Sequence, residues 1–382
     1  MNILFIFLCL VACITGMKIP LKEDLEIENE LKVINKVPIK SFHTEFGYIV
    51  DCIDINNQPA FDHPLLINHK LQKNPSFRTT ITNNRRNSVN ISTKATFGIQ
   101  KDKCPIGTVP IKRTTKDSLI SEKSYFTNSL FDHIHGNHYA EVYSDAERSD
   151  SFVGVYGTSS VYNVNVQNGQ SSSAVMYIRN GPDSTNYIGM GWHVAPELYN
   201  DSATHFYVVW TTDNFKNKGC FNLQCSGFVQ TSRKNYLGGR FVNTSVIDGR
   251  MIEMKMSIVQ DHDTKNWWVS NENEMIGYFP ASLFPDMPFL QVGWGGRTSS
   301  TQGGPSPPMG SGRFPADDKY DHASYFINIK FQYKNTNTSP EDSLIHVVSD
   351  KPNCYYAKYF EKNFAELGYA LQFGGPGGNC GD

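Results

Sequence analysis

Charge imbalance is what this chain lacks first: 35 lysines and arginines stand against 37 aspartates and glutamates, a net charge of −2 over 382 residues. So even a balance creates no field that would recruit nucleic acid or an anionic membrane. The only marked apolar run, MNILFIFLCLVACITG at residues 1–16, is too short to span a bilayer and ends in small residues, the pattern of a cleaved signal peptide. There is no internal repeat and no G-x-S-x-G nucleophile elbow. The Gly/Ser/Pro stretch GGRTSSTQGGPSPPMGSG, 295–312, lacks a terminal G-K-[ST] and reads as a flexible loop, not a phosphate cradle.

Cysteine is scarce too, with eight in all, and signal removal takes away Cys9 and Cys13. The remaining Cys52, Cys104, Cys220, Cys225, Cys354 and Cys380 are an even set suited to an oxidising compartment. Pairing in sequence order keeps each bridge within one block, although six cysteines allow fifteen connectivities. Cys220 and Cys225 are then a small disulfide loop holding a turn, since no second ligand pair flanks them at metal spacing. Sequons at Asn90, Asn200, Asn243 and Asn337 agree with secretion.

What remains is a chain rich in short alternating segments. Residues 17–36 space Leu and Ile for one amphipathic helix that Pro38 ends, and Tyr48 to Ile55 reads as a strand. The polar, charged stretch Arg113 to Asp132 has the composition of an exposed linker. Beyond it, period two dominates: Tyr162, Val164 and Val166; His205 to Thr212; Ile252, Met254, Met256 and Ile258; Tyr325, Ile327, Ile329 and Phe331. Asn-Gly and Asp-Gly turn signals fall between these runs, and 251–260 is expected to pair with 266–278. Only Ala281 to Phe284 and Lys358 to Leu367 have helical character. The expected fold is mainly β, an antiparallel β-sandwich preceded by a small mixed domain. The expected boundaries are 1–16, 17–127 and 128–382.

Metal chemistry is poorly served. Asp62, His63 and His69 lack a third close ligand, and His133, His135 and His138 form H-x-H-x2-H without a supporting set, so no metal and no cofactor are expected.

The run GWHVAPELYND, the tryptophan strand after it, GCFNLQCSGFVQT and GYFP together resemble the neprosin family of plant secreted proteins, whose founding member is a glutamic, proline-directed endopeptidase. DCIDINNQPAFDHPLLINH and CPIGTVPIKR resemble that family's prodomain, and HASYFINIKF, SDKPNCY and GGPGGNC extend the likeness to the C-terminus. The resemblance implies a prodomain removed in an acidic compartment, and a cleft bordered by the Met309–Gly312 loop. It also implies two catalytic glutamates, one two residues before the Gly-Trp of YIGMGW and one after the paired glycines of VGWGGRT. Those positions hold Gly189 and Arg297 here.

A two-carboxylate peptidase needs one carboxylate to activate water and one carboxylic acid to donate a proton. Glycine has no transferable proton, and arginine stays charged. Glu197 and Asp201 are the nearest substitutes, with Asp213, Glu253, Asp261 and Asp263 beyond. The expectation is a secreted, peptidase-like binding protein of the cell wall, apoplast or vacuole, without the dyad. The alternative is an acid-active, proline-directed endopeptidase, released from a zymogen and using other carboxylates. In the first reading Trp192, Trp210, Trp294 and Arg297 line a groove for a peptide or protein, proline-rich sequences included, or for a cell-wall polysaccharide.

Overall fold

A computed structural model describes residues 18–77, 92–100, 103–129, 136–146, 150–180, 185–216, 218–272, 274–284, 288–301, 303–315, 319, 321–333, 336–338, 344–361 and 367–381. The signal segment, Asn90, His133 and His135 lie outside these residues.

The N-terminal part begins with the helix Lys18–Ile34 and continues into a three-stranded sheet. Its strands are β1 (Lys40–His43), β2 (Ile49–Asp54) and β4 (Thr108–Lys112), whereas β3 (Thr93–Lys94) joins the main body in parallel with β12. The main body is two antiparallel sheets. The seven-stranded one runs β10 (Gly219–Phe221), β9 (His205–Thr211), β8 (Tyr187–Val194), β7 (Ser171–Arg179), β15 (Gln291–Ser299), β5 (His138–Asp145), β18 (Ile345–Ser349). The larger one runs β11 (Val229–Gln230), β14 (Glu274–Phe279), β13 (Trp267–Asn271), β12 (Ile252–Gln260), β6 (Phe152–Ser160), β16 (Ser324–Tyr333), β20 (Leu371–Gly374), β19 (Tyr356–Tyr359), with β17 (Thr336–Thr338) on β16.

Alternation explains why the sheets stack. In β8, Ile188, Met190, Trp192 and Val194 point inward and meet Met254, Met256 and Ile258 of β12 in one core. Each such apolar side chain contributes about 1.5–3 kcal/mol on leaving water. Bridges Cys52–Cys104, Cys220–Cys225 and Cys354–Cys380 form in sequence order.

Three local expectations are corrected. Tyr162, Val164 and Val166 are buried but form no strand. Their segment satisfies its backbone elsewhere: Ser245 N–H donates to the Val161 carbonyl and the Thr204 hydroxyl to the Tyr162 carbonyl. Tyr356–Tyr359 pairs with β20 as a strand, where helix was expected from Lys358. The supposed linker is a helix, Lys116–Ser129, opened by a reciprocal cap in which Ser118 N–H donates to Thr115 Oγ1 (3.1 Å) and Thr115 N–H to Ser118 Oγ (2.9 Å). Its Leu119 and Tyr125 are buried, while Lys116 and Lys123 bond Asp24 and Glu30 of the first helix. This capping helix lies over the outer face of the seven-stranded sheet, where Tyr125 joins a cluster with Tyr177, Tyr187, Tyr199, Tyr207 and Phe221.

Candidate functional site

Strand register arranges that outer face in rows. One row is Val209, Gly189, Tyr177, Gly293 and Tyr143; the next is Tyr207, Gly191, Val175, Gly295 and Glu141; the third is His205, His193, Ser173, Arg297 and Tyr139. Gly189 and Arg297 therefore share a face, two strands and two rows apart. Glycines at 189 and 293 leave a trough that neighbouring rings fill. A Cβ at 189 would lie 2.8 Å from the Tyr187 ring, and one at 293 would lie 2.5 Å from Tyr177. The Tyr177 and Tyr187 rings stack with centroids 5.4 Å apart.

Over these rings lies Arg297. Its guanidinium carbon is 5.4 Å from the Tyr177 centroid and 5.8 Å from that of Tyr187. Its Nη2 donates to Glu141 Oε2 at 3.2 Å, and the Tyr177 hydroxyl donates to Glu141 Oε1 at 3.0 Å. Glu141 is 4% exposed, so both its oxygens are engaged in a largely dry setting. Burial works against the guanidinium charge, but Tyr187, Glu141 and Tyr177 outweigh it and hold the pKa above its already high ordinary value. Burial, then Glu141, pushes the Tyr177 hydroxyl well up, so it remains a donor. Arg297 Nε is left without a partner.

Sequence reasoning passed over Glu141, although HYAEVYSD shows its alternation with inward Ala140 and Val142. The suggested substitutes hold the N-terminal part instead. Glu197 accepts from Ser124 Oγ of the capping helix at 2.7 Å. Asp201 accepts from the Tyr48 hydroxyl and pairs with His205 Nε2 at 2.9 Å. Glu253 and Asp261 belong to the other sheet, bonded to Tyr325 and to the Gln72–Ser76 segment.

The three tryptophans proposed for the groove are not on it. Trp192, Trp210 and Trp294 are 0%, 4% and 0% exposed and lie in the inter-sheet core. The indoles of Trp192 and Trp294 donate to the carbonyls of Ser160 and Tyr156. Parity explains the correction: Trp192 is three residues from Gly189 and Trp294 three from Arg297, so each faces the opposite way. Outside the face, Asp62 pairs with Lys36, His69 with the Tyr278 hydroxyl, and His138 with Asp350. Asn200 and Asn243 are exposed.

A family model described as Neprosin matches residues 168–376, and one described as Neprosin activation peptide matches 41–149, a span that includes both the capping helix and β5. Among solved structures, the chain is similar to scytalido-glutamic peptidase with a transition state analog inhibitor, at 10% identity and TM-score 0.35, over 63% of this chain and 98% of that one. It is also similar to SCP-B, a member of the Eqolisin family of peptidases in complex with the tripeptide Ala-Ile-His, at 9% identity and TM-score 0.32, with the same coverage.

Proposed function

Because this chain belongs to the Neprosin family, with a Neprosin domain and its activation peptide, we propose that it is a peptidase-like member that binds a peptide segment on the outer face without cleaving it. One observation carries this reading: Glu141 is hydrogen-bonded to Arg297 and Tyr177, where acid–base hydrolysis would call for a second carboxyl group. A carboxylate held by a guanidinium and a phenol has no partner able to act as a carboxylic acid. Arg297 instead provides a fixed cation beside the stacked Tyr177 and Tyr187 rings, suited to a backbone carbonyl or carboxylate. Proline-rich segments are the favoured ligands, because they are extended in advance and lose little entropy on binding to an aromatic surface.

The alternative is an acid-active endopeptidase built on Glu141, favoured by the burial of that carboxylate on the same face. Both readings place the protein on the secretory route, with which three disulfides and the sequons at Asn200 and Asn243 agree. Among the described residues no helix is long and apolar enough to cross a membrane.

The test is incubation of the purified protein, before and after removal of the activation segment, with an unfolded proline-rich protein from acid to neutral pH. Saturable binding without new termini is expected. Proline-directed cleavage that disappears in Glu141→Gln would overturn the binding reading in favour of the alternative.

A further inference from the structure

Tyr125 of the capping helix enters the aromatic cluster on the sheet. It is 4% exposed, and its hydroxyl lies 3.2 Å from His193 Nε2. Its ring meets Phe221 edge-on at 5.5 Å. His193 is itself 3% exposed and enclosed by rings: Phe221 stacks on it at 5.5 Å, Tyr207 lies at 5.1 Å and Tyr199 at 5.8 Å. β10 and the neighbouring Cys220–Cys225 bridge fix Phe221, so this wall belongs to the sheet domain.

The polar floor of this pocket is unusual. His193 Nδ1 is buried without a partner, and Nε2 meets the tyrosine of a separate segment. An imidazole buried only to pack would be expensive compared with an apolar side chain. In a recognition pocket the same cost gives selectivity, because a buried polar group rejects an occupant that cannot bond it. Along the sheet, His193, Ser173 and Arg297 form one row, so His193 and Arg297 are about 10 Å apart at the usual strand spacing.

Resting on the reading of this face as a peptide-binding surface, the geometry points to a tyrosine-selective pocket formed by His193, Phe221, Tyr207 and Tyr199, which Tyr125 fills from within the chain and a peptide ligand's tyrosine fills when the capping helix is displaced. The peptide then lies across the strands with a carbonyl or carboxylate at Arg297. The capping helix occupies the site as an internal ligand.

The test uses the full chain with Tyr125→Ala, which vacates the pocket, and three probes: N-acetyl-tyrosinamide, N-acetyl-phenylalaninamide and N-acetyl-leucinamide. Binding is read from the His193 imidazole resonances and from thermal stability. Tyrosinamide should bind the variant at millimolar concentration and leave the parent unaffected. It should exceed phenylalaninamide by about fivefold, the equivalent of one ordinary hydrogen bond, and leucinamide by more. Adding His193→Phe should abolish the preference for the hydroxyl and retain the preference for an aromatic ring. If Tyr125→Ala folds only with help, selective rescue by tyrosinamide is the supporting result. Equal binding or rescue by leucinamide, or no binding by any probe, would overturn the pocket. A lost tyrosine preference with proline-rich peptide binding intact would sink the pocket and leave the proposed function standing. Tyrosinamide selectivity in a protein that cleaves peptides would sink the binding-only function and leave the pocket standing.

Discussion

Arg297 on β15 holds Glu141 on β5 by a 3.2 Å ion pair across the face where the family resemblance calls for glutamate at position 297. The carboxylate is almost fully buried while the arginine side chain keeps 40% exposure. Arg297→Gln should therefore destabilise the protein mainly through what it does to Glu141. Removing a partner from a buried charge costs about 3–5 kcal/mol, but the exposure of Arg297 brings the expectation nearer to 1–2 kcal/mol. Glu141→Gln, which keeps the hydrogen bond from Tyr177, should cost less. Urea unfolding of both variants checks the order.

Gly189 is a steric requirement of Tyr187. Gly189→Ala would place a methyl 2.8 Å from the Tyr187 ring, and overpacking of this kind costs about 1–3 kcal/mol. Tyr187→Leu should relieve most of that loss, so a double-mutant cycle should show coupling between the two positions. Additive effects would mean that Tyr187 is not the obstruction.

The double variant Gly189→Glu with Arg297→Glu tests dyad loss directly. Acid-dependent hydrolysis is expected to appear in it and in neither single variant, because each single change leaves position 297 or 189 without its carboxyl group. Product analysis with the unfolded proline-rich protein provides the readout. A folded but inert double variant would argue against positions 189 and 297 as the missing pair.

Acid acts on the capping helix in two opposed ways. Burial, resisted by Lys112 and Gln224, pushes Glu122 up from 4.5 to about 7. The seated helix then binds more protons than the released one, and this group strengthens the seat as pH falls from about 7. Burial, then His205, lowers His193 from 6.5 to about 3. Release lets it protonate, so this group weakens the seat as pH falls below the ordinary histidine range. Burial also lowers Lys112, against the pull of Glu122. Glu122→Gln should remove the opposing effect: after intrinsic-rate correction, amide exchange in the helix should be slower than in the parent at pH ~7, and should quicken toward pH ~5 more steeply than the parent's does, since only His193 then responds. An unchanged pH profile would refute this balance.

Asp201 should prove to be a clasp. Asp201→Asn weakens its bonds to His205 and Tyr48, and the expected cost is about 1–3 kcal/mol in docking of the N-terminal part. Limited proteolysis should speed up for residues 40–54, with peptide binding by the released domain unchanged.

Alternation in β8, β12 and β16, the even cysteine set and the positions of Gly189 and Arg297 could all be read along the chain, because each depends on period two or on local spacing. The inward direction of Trp192 and Trp294 was equally legible, since an odd separation from 189 and 297 puts them on the opposite face. So was the Thr115–Ser118 cap, which polar composition obscured. These properties belong to the sequence itself: a strand's own geometry decides which side chains share a face, and a capping pair is three residues apart.

Only the tertiary structure decided which strands became neighbours. Glu141 and Arg297 are 156 positions apart, and nothing local tells β5 to lie beside β15 and β15 beside β7. Strand order is settled by the packing of a whole core, whose apolar contacts are non-directional and summed over both sheets. That order brought an unremarked glutamate to the arginine, stacked the Tyr177 ring on Tyr187 from the neighbouring strand and gave the tyrosine of the capping helix a face to fill.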